Sequence, residues 1–194
     1  MKVLTFSRQY PTGHPKAGQP TEFVEKVLLN LYAQRLYQRS KICEIMRQLV
    51  PDSHPMYYED TFREYKSELS KGHTIRTGTR FKVGDQVSLR VWSGRPYASK
   101  QIEFAQVDVK KVWEFVILEG HLFVAGWNIG PFHTDNKVIA PVASNDGLLI
   151  EDFIAWFAIH PKAKEMEFHG QIICWNDQIE YAGKPAELDE EVSA

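Results

Sequence analysis

Residues 71 to 101 concentrate positive charge in a chain that is slightly acidic overall. The stretch contains seven basic residues and one acidic residue, Asp85, so it carries +6, whereas the whole chain carries −2. The basic residues are Lys71, Arg76, Arg80, Lys82, Arg90, Arg95 and Lys100. Aromatic rings at Phe81, Trp92 and Tyr97 are interleaved with them, and cations bind phosphates while aromatic rings stack on bases. Charge alone favours two interpretations about equally. One is a surface that binds nucleic acid, and the other is a solvated strand face whose cations pair with acidic residues elsewhere.

Glycines mark two loops within this stretch. Val83-Gly84-Asp85 predicts a tight turn before a strand. The segment Ser93–Tyr97 (Ser-Gly-Arg-Pro-Tyr) predicts a loop that lets a ligand approach the backbone and presents a hydroxyl, a guanidinium and a ring. Trp92 falls on the polar side of its strand, so it is a candidate for stacking. Three other tryptophans lie in apolar patterns and are expected in the core, namely Trp113, Trp127 and Trp156.

Four short segments stand in an order that is typical of one domain family. They are Lys71–Arg76 (Lys-Gly-His-Thr-Ile-Arg), Phe81–Asp85 (Phe-Lys-Val-Gly-Asp), Asn145–Leu148 (Asn-Asp-Gly-Leu) and Ile150–Phe153 (Ile-Glu-Asp-Phe). Together they resemble the ASCH domain, which is similar in fold to the RNA-binding PUA domains, over roughly residues 67 to 175. The segments Trp92–Tyr97 and Ser99–Gln101, with the N-terminal loop and helix, resemble a bacterial branch of that family.

The resemblance implies a possible catalytic set. Small bacterial ASCH proteins include amidohydrolases that remove the acetyl group of acetylcytidine with a lysine, a threonine three residues later and a distant glutamate. Lys71 and Thr74 match the first two, and Asp146, one methylene shorter than glutamate, matches the third. The alternative interpretation makes Lys71 a surface lysine at a helix end, Thr74 an ordinary strand residue and Asp146 a helix cap.

The implied chemistry is coherent. A desolvated, neutral lysine can take the proton of a hydroxyl, so Lys71 would activate Thr74 as a nucleophile. Asp146 would orient the lysine or relay a proton, and Arg76 would stabilise a developing oxyanion or hold a phosphate. Cleavage of RNA in the same cleft is a further alternative activity.

Nucleic-acid binding, with RNA first, is the function that the sequence favours, and hydrolysis is the alternative. The binding module would use a basic cleft between the Lys71–Arg80 segment, the Ser93–Gln101 loop and the start of a late helix. The predicted nucleic-acid-binding residues are His73, Arg76, Arg80, Trp92, Ser93, Arg95, Tyr97, Lys100 and Gln101. We expect RNA or a modified nucleoside as the partner, with DNA as a further candidate, and leave the oligomeric state open. A protein-interaction domain is a third alternative, which would require the N-terminal helix to expose an apolar patch.

Composition and motif content exclude several other classes. The chain has 194 residues, of which 43% are hydrophobic and 12% aromatic, as expected of a globular protein. Cys43 and Cys174 are too few for a disulfide framework or a zinc site, so we expect a reducing, cytoplasmic location. We expect no signal peptide and no membrane segment. The histidines show no metal-ligand spacing, and we predict no metal and no cofactor.

Periodicity predicts the elements that would position these residues. Thr21 is expected to cap a helix whose apolar face comprises Val24, Val27, Leu28, Leu31 and Tyr32. Further helices are predicted through residue 49, over 59–70 and over 150–157. Strands are predicted over residues 2–6, 87–92, 102–117 (bent or bulged), 122–127, 137–139 and 171–175.

These elements predict an α+β fold, specifically a PUA-like mixed β-barrel with an N-terminal helical extension. Residues 1–66 would form a strand, a loop and helices packed on the barrel. Residues 67–182 would form the ASCH barrel itself. Residues 183–194 would be an acidic, disordered tail.

Overall fold

The computed structural model of the protein describes residues 1–49, 70–132, 139–158 and 167–181. These ranges contain eight β-strands and four α-helices, and they confirm the predicted α+β class. The strands are β1 (Lys2–Phe6), β2 (His73–Thr77), β3 (Gln86–Trp92), β4 (Gln101–Asp108), β5 (Lys111–Leu118), β6 (His121–Val124), β7 (Trp127–Pro131) and β8 (Glu167–Cys174). The helices are α1 (Phe23–Ala33), α2 (Arg39–Leu49), α3 (Ala140–Asn145) and α4 (Ile150–Ala158).

The strands form two sheets. One has three strands in the order β1-β3-β4, and the other has five in the order β2-β8-β5-β6-β7. Strand β1 runs parallel to β3, so the N-terminal strand is hydrogen-bonded into a sheet rather than laid over one. Across the described ranges no strand is shared by the two sheets and neither sheet closes, so the PUA-like barrel stays a prediction.

Strand β2, which carries Thr74 and Arg76, is an edge strand. It pairs antiparallel with β8, and β8 pairs on its other side with β5. Strand β1 is likewise the edge of its sheet. The guanidinium of Arg76 donates to the carbonyl of Thr5 at 3.0 Å and so links these two edges.

The long strand that was predicted over residues 102–117 is in fact two strands, β4 and β5. The strand structure is interrupted at Val109 and Lys110. Val109 is buried and continues the apolar pattern of the strands, so side-chain periodicity does not reveal the interruption. The predicted turn at Val83–Asp85 is confirmed, with Gly84 at φ +84°. Gly84 and Asp85 exchange backbone hydrogen bonds with Val109, each of 2.9 Å, which fixes the turn against the break.

Helix α1 buries the face that periodicity predicts. Val24, Val27, Leu28 and Leu31 are buried, whereas Tyr32, at the edge of the stripe, is 45% exposed. The predicted Thr21 cap is wrong. The helix follows Glu22, whose backbone is left-handed, and the Thr21 hydroxyl instead donates to the Ser7 carbonyl at 2.7 Å.

Helix α4 covers an aromatic core. Phe153 and Phe157 pack against Phe115, and Phe157 also packs against Phe168 of β8. Of the three tryptophans that were expected in the core, Trp113 is fully buried and Trp156 is partly buried. Trp127 is 61% exposed on the edge strand β7, which corrects the prediction for that residue.

Several predictions fall on residues outside the described ranges. These are the helix over residues 59–70 apart from Ser70, the strand over 137–139 apart from Ile139, and the acidic tail at 183–194. Ile139 lies in the turn that precedes α3. Among the helices described, none is both long and apolar enough to cross a bilayer.

Gly170 in β8 provides a test of how closely β2 approaches β8. A Cβ at this position would lie 2.4 Å from the carbonyl oxygen of Arg76, and that backbone atom cannot move without disturbing the β2–β8 ladder. We expect Gly170→Ala to lower the free energy of unfolding by about 1–3 kcal/mol. Urea denaturation followed by circular dichroism measures the change.

Gly94→Ala is the matched control. A Cβ there would meet only the Ser99 side chain, at 3.6 Å, which is ordinary van der Waals contact. We expect the control to change stability by less than about 0.5 kcal/mol. Equal stabilities of the two variants would contradict the close β2–β8 approach.

Candidate active site

Lys71 and Asp146 form a buried ion pair where two distant segments cross. An isolated β-bridge joins the two residues, and the Gly72 amide donates to the Asn145 carbonyl at 2.9 Å. The Lys71 ammonium donates to Asp146 Oδ1 at 2.5 Å and to the Asp146 carbonyl at 2.6 Å. Lys71 is only 1% exposed and Asp146 6%, so water screens this pair weakly.

The three residues predicted as catalytic line one cavity of about 230 Å³. Lys71, Thr74 and Asp146 share its lining with Arg76, which follows Thr74 by two residues and so lies on the same face of β2. Aromatic side chains complete the wall, among them Phe23 of α1 and Trp156 of α4. The interpretation of Lys71 as a surface lysine is therefore wrong.

Gly147 makes the approach of the two segments possible. Its backbone is left-handed, at φ +77°, which glycine adopts without strain. A Cβ at Gly147 would lie 3.2 Å from Lys71 Cβ and 3.3 Å from Lys26 Cδ. The Asp-Gly pair thus ends α3 in a tight turn and leaves room for the lysine stem that reaches Asp146.

Burial shifts the ionisation of both partners toward their neutral forms. Desolvation lowers the pKa of Lys71 to about 8, although the Asp146 carboxylate opposes the shift. Desolvation also raises the pKa of Asp146, against the opposing effect of Lys71. A lysine with this pKa is mostly protonated at pH 7 and half neutral at about pH 8, so its neutral form, which a general base requires, becomes accessible at mildly alkaline pH.

The Arg76 guanidinium lies in the same cavity. It donates to the carbonyls of Ile75 and Thr5, each at 3.0 Å, and lies 5.5 Å from the Phe6 ring centroid. Among the described residues it forms no direct ion pair with a carboxylate, although its charge lowers the pKa of Asp146. Its positive charge is therefore available to an anionic group in the cavity.

His73, which was predicted to contact nucleic acid, is fully buried and offers no surface to a ligand. Its Nε2 lies 2.7 Å from the Tyr181 hydroxyl, which also accepts from the Asn145 side-chain amide at 3.1 Å. The other ring nitrogen, Nδ1, lies 3.7 Å from Asp146 Oδ1. Burial and the charge of Lys71 hold the pKa of His73 well below its usual range, so a neutral imidazole packs beside Asp146.

A second, larger cavity of about 620 Å³ adjoins the first and shares Phe6, Ser7 and Phe23 with it. Trp92 and Arg95 line this second compartment, so both predicted binding residues face it. Trp92 contacts the Tyr97 ring at a centroid distance of 5.3 Å, and Tyr97 is 92% exposed. Together the two cavities form what we call the groove.

The remaining predicted binding residues are absent from the lining of the groove. Arg80 is exposed and lies 5.4 Å from the Phe81 ring centroid. The Ser93 amide donates to the Lys100 carbonyl at 2.8 Å, and Gln101 Nε2 donates to Thr5 Oγ1 at 3.2 Å. Of the seven cations in the basic stretch, only Lys71, Arg76 and Arg95 line the groove.

The charge of Arg90 is partly matched elsewhere, because its guanidinium lies 3.8 Å from Glu103. The positive stretch is therefore less concentrated in space than in sequence.

The N-terminal loop at residues 10–20 packs on α4. The Asp152 carboxylate accepts from Lys16 at 2.6 Å and from the Tyr10 hydroxyl at 3.3 Å. His14 stacks on Tyr10 with ring centroids 4.4 Å apart, and both rings contact Trp156. Since Trp156 lines the small cavity, the loop supports one wall of the site, a role that the sequence did not signal.

Comparisons with known proteins do not place the chain in a family. No family model matches it, and no curated protein or solved structure matches it either. The ASCH resemblance therefore stays a prediction from the motif residues, and the functional conclusion depends on the chemistry of the Lys71–Asp146 cavity. Among the described residues, no group of three or more His, Cys, Asp or Glu side chains could hold a metal ion.

Asp146→Asn tests the buried pair. The variant leaves Lys71 without its counter-ion, and loss of one partner of a buried pair lowers stability by about 3–5 kcal/mol at neutral pH. Without the carboxylate the folded-state pKa of Lys71 falls further below its unfolded value, so stability recovers as the pH rises between those two values. Urea denaturation from about pH 6 to pH 10 measures the loss of unfolding free energy in Asp146→Asn and its recovery as the pH rises.

Asp85→Asn is the matched control, because Asp85 accepts from Lys2 at the same 2.5 Å distance but the pair is partly exposed. We expect a loss of no more than about 1 kcal/mol there, without recovery at alkaline pH. A loss for Asp146→Asn that stays constant across this pH range would contradict a buried, titratable lysine.

Proposed function

We propose that this protein is a hydrolase that removes an acyl group from a modified nucleobase or nucleoside, such as acetylcytidine. The observation that carries the proposal is the convergence of Lys71, Thr74 and Asp146 on one cavity of about 230 Å³. The proposal includes an ASCH-type, PUA-like fold, with which the mixed α+β topology is compatible. It also includes a cytoplasmic location, with which the free thiols of Cys43 and Cys174 are compatible.

In the first half-reaction, neutral Lys71 accepts the Thr74 hydroxyl proton while the threonine oxygen attacks the acyl carbonyl carbon. The carbonyl oxygen becomes an oxyanion, which the Arg76 guanidinium stabilises. As the carbon–nitrogen bond breaks, the Lys71 ammonium returns the proton to the departing exocyclic nitrogen. The free amine of the base leaves, and the acyl group stays on Thr74 as an ester.

In the second half-reaction, water attacks the ester and Lys71 accepts its proton. Collapse of the second oxyanion breaks the ester bond, and the proton passes to the threonine oxygen. The net reaction is acylated base plus water giving base plus carboxylic acid. Asp146 keeps the lysine nitrogen in place throughout, with its carboxylate 2.5 Å from Nζ.

The cavity walls suit a flat ring at this position. Phe23, Trp156 and Phe6 provide apolar surface, while Lys71, Asp146 and Arg76 provide polar groups, of which Lys71 and Asp146 are in direct contact. Such a division binds an aromatic base by stacking and directs its acylated edge to the reactive groups. The sugar would extend into the larger compartment of the groove.

Purified protein incubated with acetylcytidine should release cytidine and acetate, as measured by liquid chromatography. We expect Lys71→Met and Thr74→Val each to lower kcat/KM by about 100-fold or more, because each removes a group that acts in the transition state. The value of kcat/KM should rise as the pH increases through about 8, since the neutral form of Lys71 is the base.

Lys110→Ala is the control, because it removes an exposed lysine that lies outside the cavity. It should leave kcat/KM within about two-fold of the wild type. Turnover that survives both Lys71→Met and Thr74→Val would exclude the proposed mechanism.

Binding of single-stranded RNA is a second candidate function, and one observation favours it. The larger compartment presents a ring and a guanidinium, from Trp92 and Arg95, and shares the lining residues Phe6, Ser7 and Phe23 with the small cavity. Single-stranded nucleic acid is bound by this combination of base stacking and phosphate contact. In this case the small cavity would hold an unstacked base without changing it.

Arg95→Ala tests RNA binding with a short single-stranded oligonucleotide in fluorescence anisotropy. Removal of one phosphate contact should weaken binding and reduce the slope of log affinity against log salt by about 1.

Trp92→Ala should weaken binding by an amount equivalent to about 1–3 kcal/mol without changing the slope. Lys41→Ala removes one positive charge from an exposed position on α2 that lines neither cavity, and it should change neither quantity. Affinity that is independent of salt would exclude this function.

A further inference from the structure

Lys26, on helix α1, is a buried lysine outside the predicted catalytic set. It is 4% exposed although it lies on a helix near the N-terminus, far from Lys71 in sequence. Its ammonium donates to the Gly147 carbonyl at 3.0 Å and to the Thr21 carbonyl at 3.1 Å. The nearest carboxylate among the described residues is that of Glu22, at 3.9 Å, and this side chain is itself 41% exposed. The buried positive charge is thus held mainly by carbonyl dipoles.

Lys26 contacts the catalytic segment through its backbone as well as its side chain. The Lys71 amide donates to the Lys26 carbonyl at 3.1 Å. The stems of both lysines approach the same point, because a Cβ on Gly147 would lie within 3.3 Å of each. Lys26 therefore holds the strand entry that carries Lys71 and the turn that carries Asp146.

We propose that Lys26 is a positioning residue of the Lys71–Thr74–Asp146 site, which fixes the Asp146–Gly147 turn and places a second positive charge beside Lys71. This inference rests on the proposed function, because it assigns Lys26 a role in the same hydrolytic site. It makes helix α1 a part of that site rather than a scaffold. A purely apolar side chain would fill the space without the desolvation cost of an ammonium group.

The charge of Lys26 acts in the direction that catalysis requires. A neighbouring cation lowers the pKa of Lys71 and thereby favours its neutral form, and Lys26 also lowers the pKa of Asp146. The other charged or titratable groups that face Lys71 are Asp146, Arg76 and the neutral His73. Those that act on Lys26 are Glu22, Glu25, Asp152 and Lys16, and the three carboxylates oppose the effect of burial on its own pKa.

The test compares the pH dependence of acetylcytidine hydrolysis in Lys26→Met and Lys26→Arg with the wild type. Lys26→Met removes both the charge and the donor, so the rise of kcat/KM should move to higher pH by roughly half a unit or more. Lys26→Arg keeps the charge and the hydrogen-bond donor, so it should leave the pH at which kcat/KM rises unchanged. Should Lys26→Met not fold, Lys26→Gln removes the charge while keeping a donor, and the same shift is expected.

A loss of kcat/KM in Lys26→Met that is uniform across pH would overturn the proposal, because it would indicate a purely structural role. If the wild type hydrolyses no acylated nucleoside, the proposed function fails, yet the placement of Lys26 can still be tested. The Lys71 amine would then be titrated by NMR in protein with isotope-labelled lysine, and Lys71→Arg would identify its signal. If the Lys71 amine titrates at the same pH in the wild type and in Lys26→Met, the proposal is also overturned.

Discussion

The buried ion pair between Lys71 and Asp146 is the interaction on which the rest of the site depends. Removing two charges from water is unfavourable, and their attraction offsets the loss only in close geometry with further hydrogen bonds. The structure supplies both, because Lys71 contacts the carboxylate and the carbonyl of Asp146 within 2.6 Å. The same burial leaves the lysine able to lose its proton, so one arrangement joins two segments and supplies a base.

Segments distant in sequence assemble this pair. Strand β2 carries Thr74, the residues just before it carry Lys71, and the turn after α3 carries Asp146 and Gly147. The N-terminal region adds the Thr5 carbonyl, which links β1 to Arg76 of β2. It also adds helix α1, which contributes one wall of the cavity, and the loop at residues 10–20, which supports the wall formed by α4. The N-terminal segment through α1 therefore contributes to the site, although it lies outside residues 67 to 175, over which the chain resembles the ASCH domain.

Sequence patterns predicted the features that depend on local periodicity and on short motifs. The apolar face of α1, the turn at Gly84 and the extent of α4 follow from side-chain spacing and backbone preference. The meeting of Lys71 with Asp146 was predicted only from the resemblance of the motif residues to ASCH amidohydrolases. Patterns could not show that His73 and Lys26 are buried, because polar residue type argues for exposure and only tertiary packing overrides it. Nor could they show that Trp127 is exposed, because strand order decides which strand lies at the edge.

The most direct test of the central claim, that the buried pair activates Thr74, is to trap the acyl group on the protein. Wild-type protein would be mixed with an activated acetyl ester, quenched with acid and digested for mass spectrometry. The account predicts an acetyl group on the peptide that contains Thr74, located on the threonine oxygen, and none when Lys71 is replaced by methionine. Acetyl transfer to the Lys71 nitrogen, or an equal yield of acetylthreonine without Lys71, would contradict it.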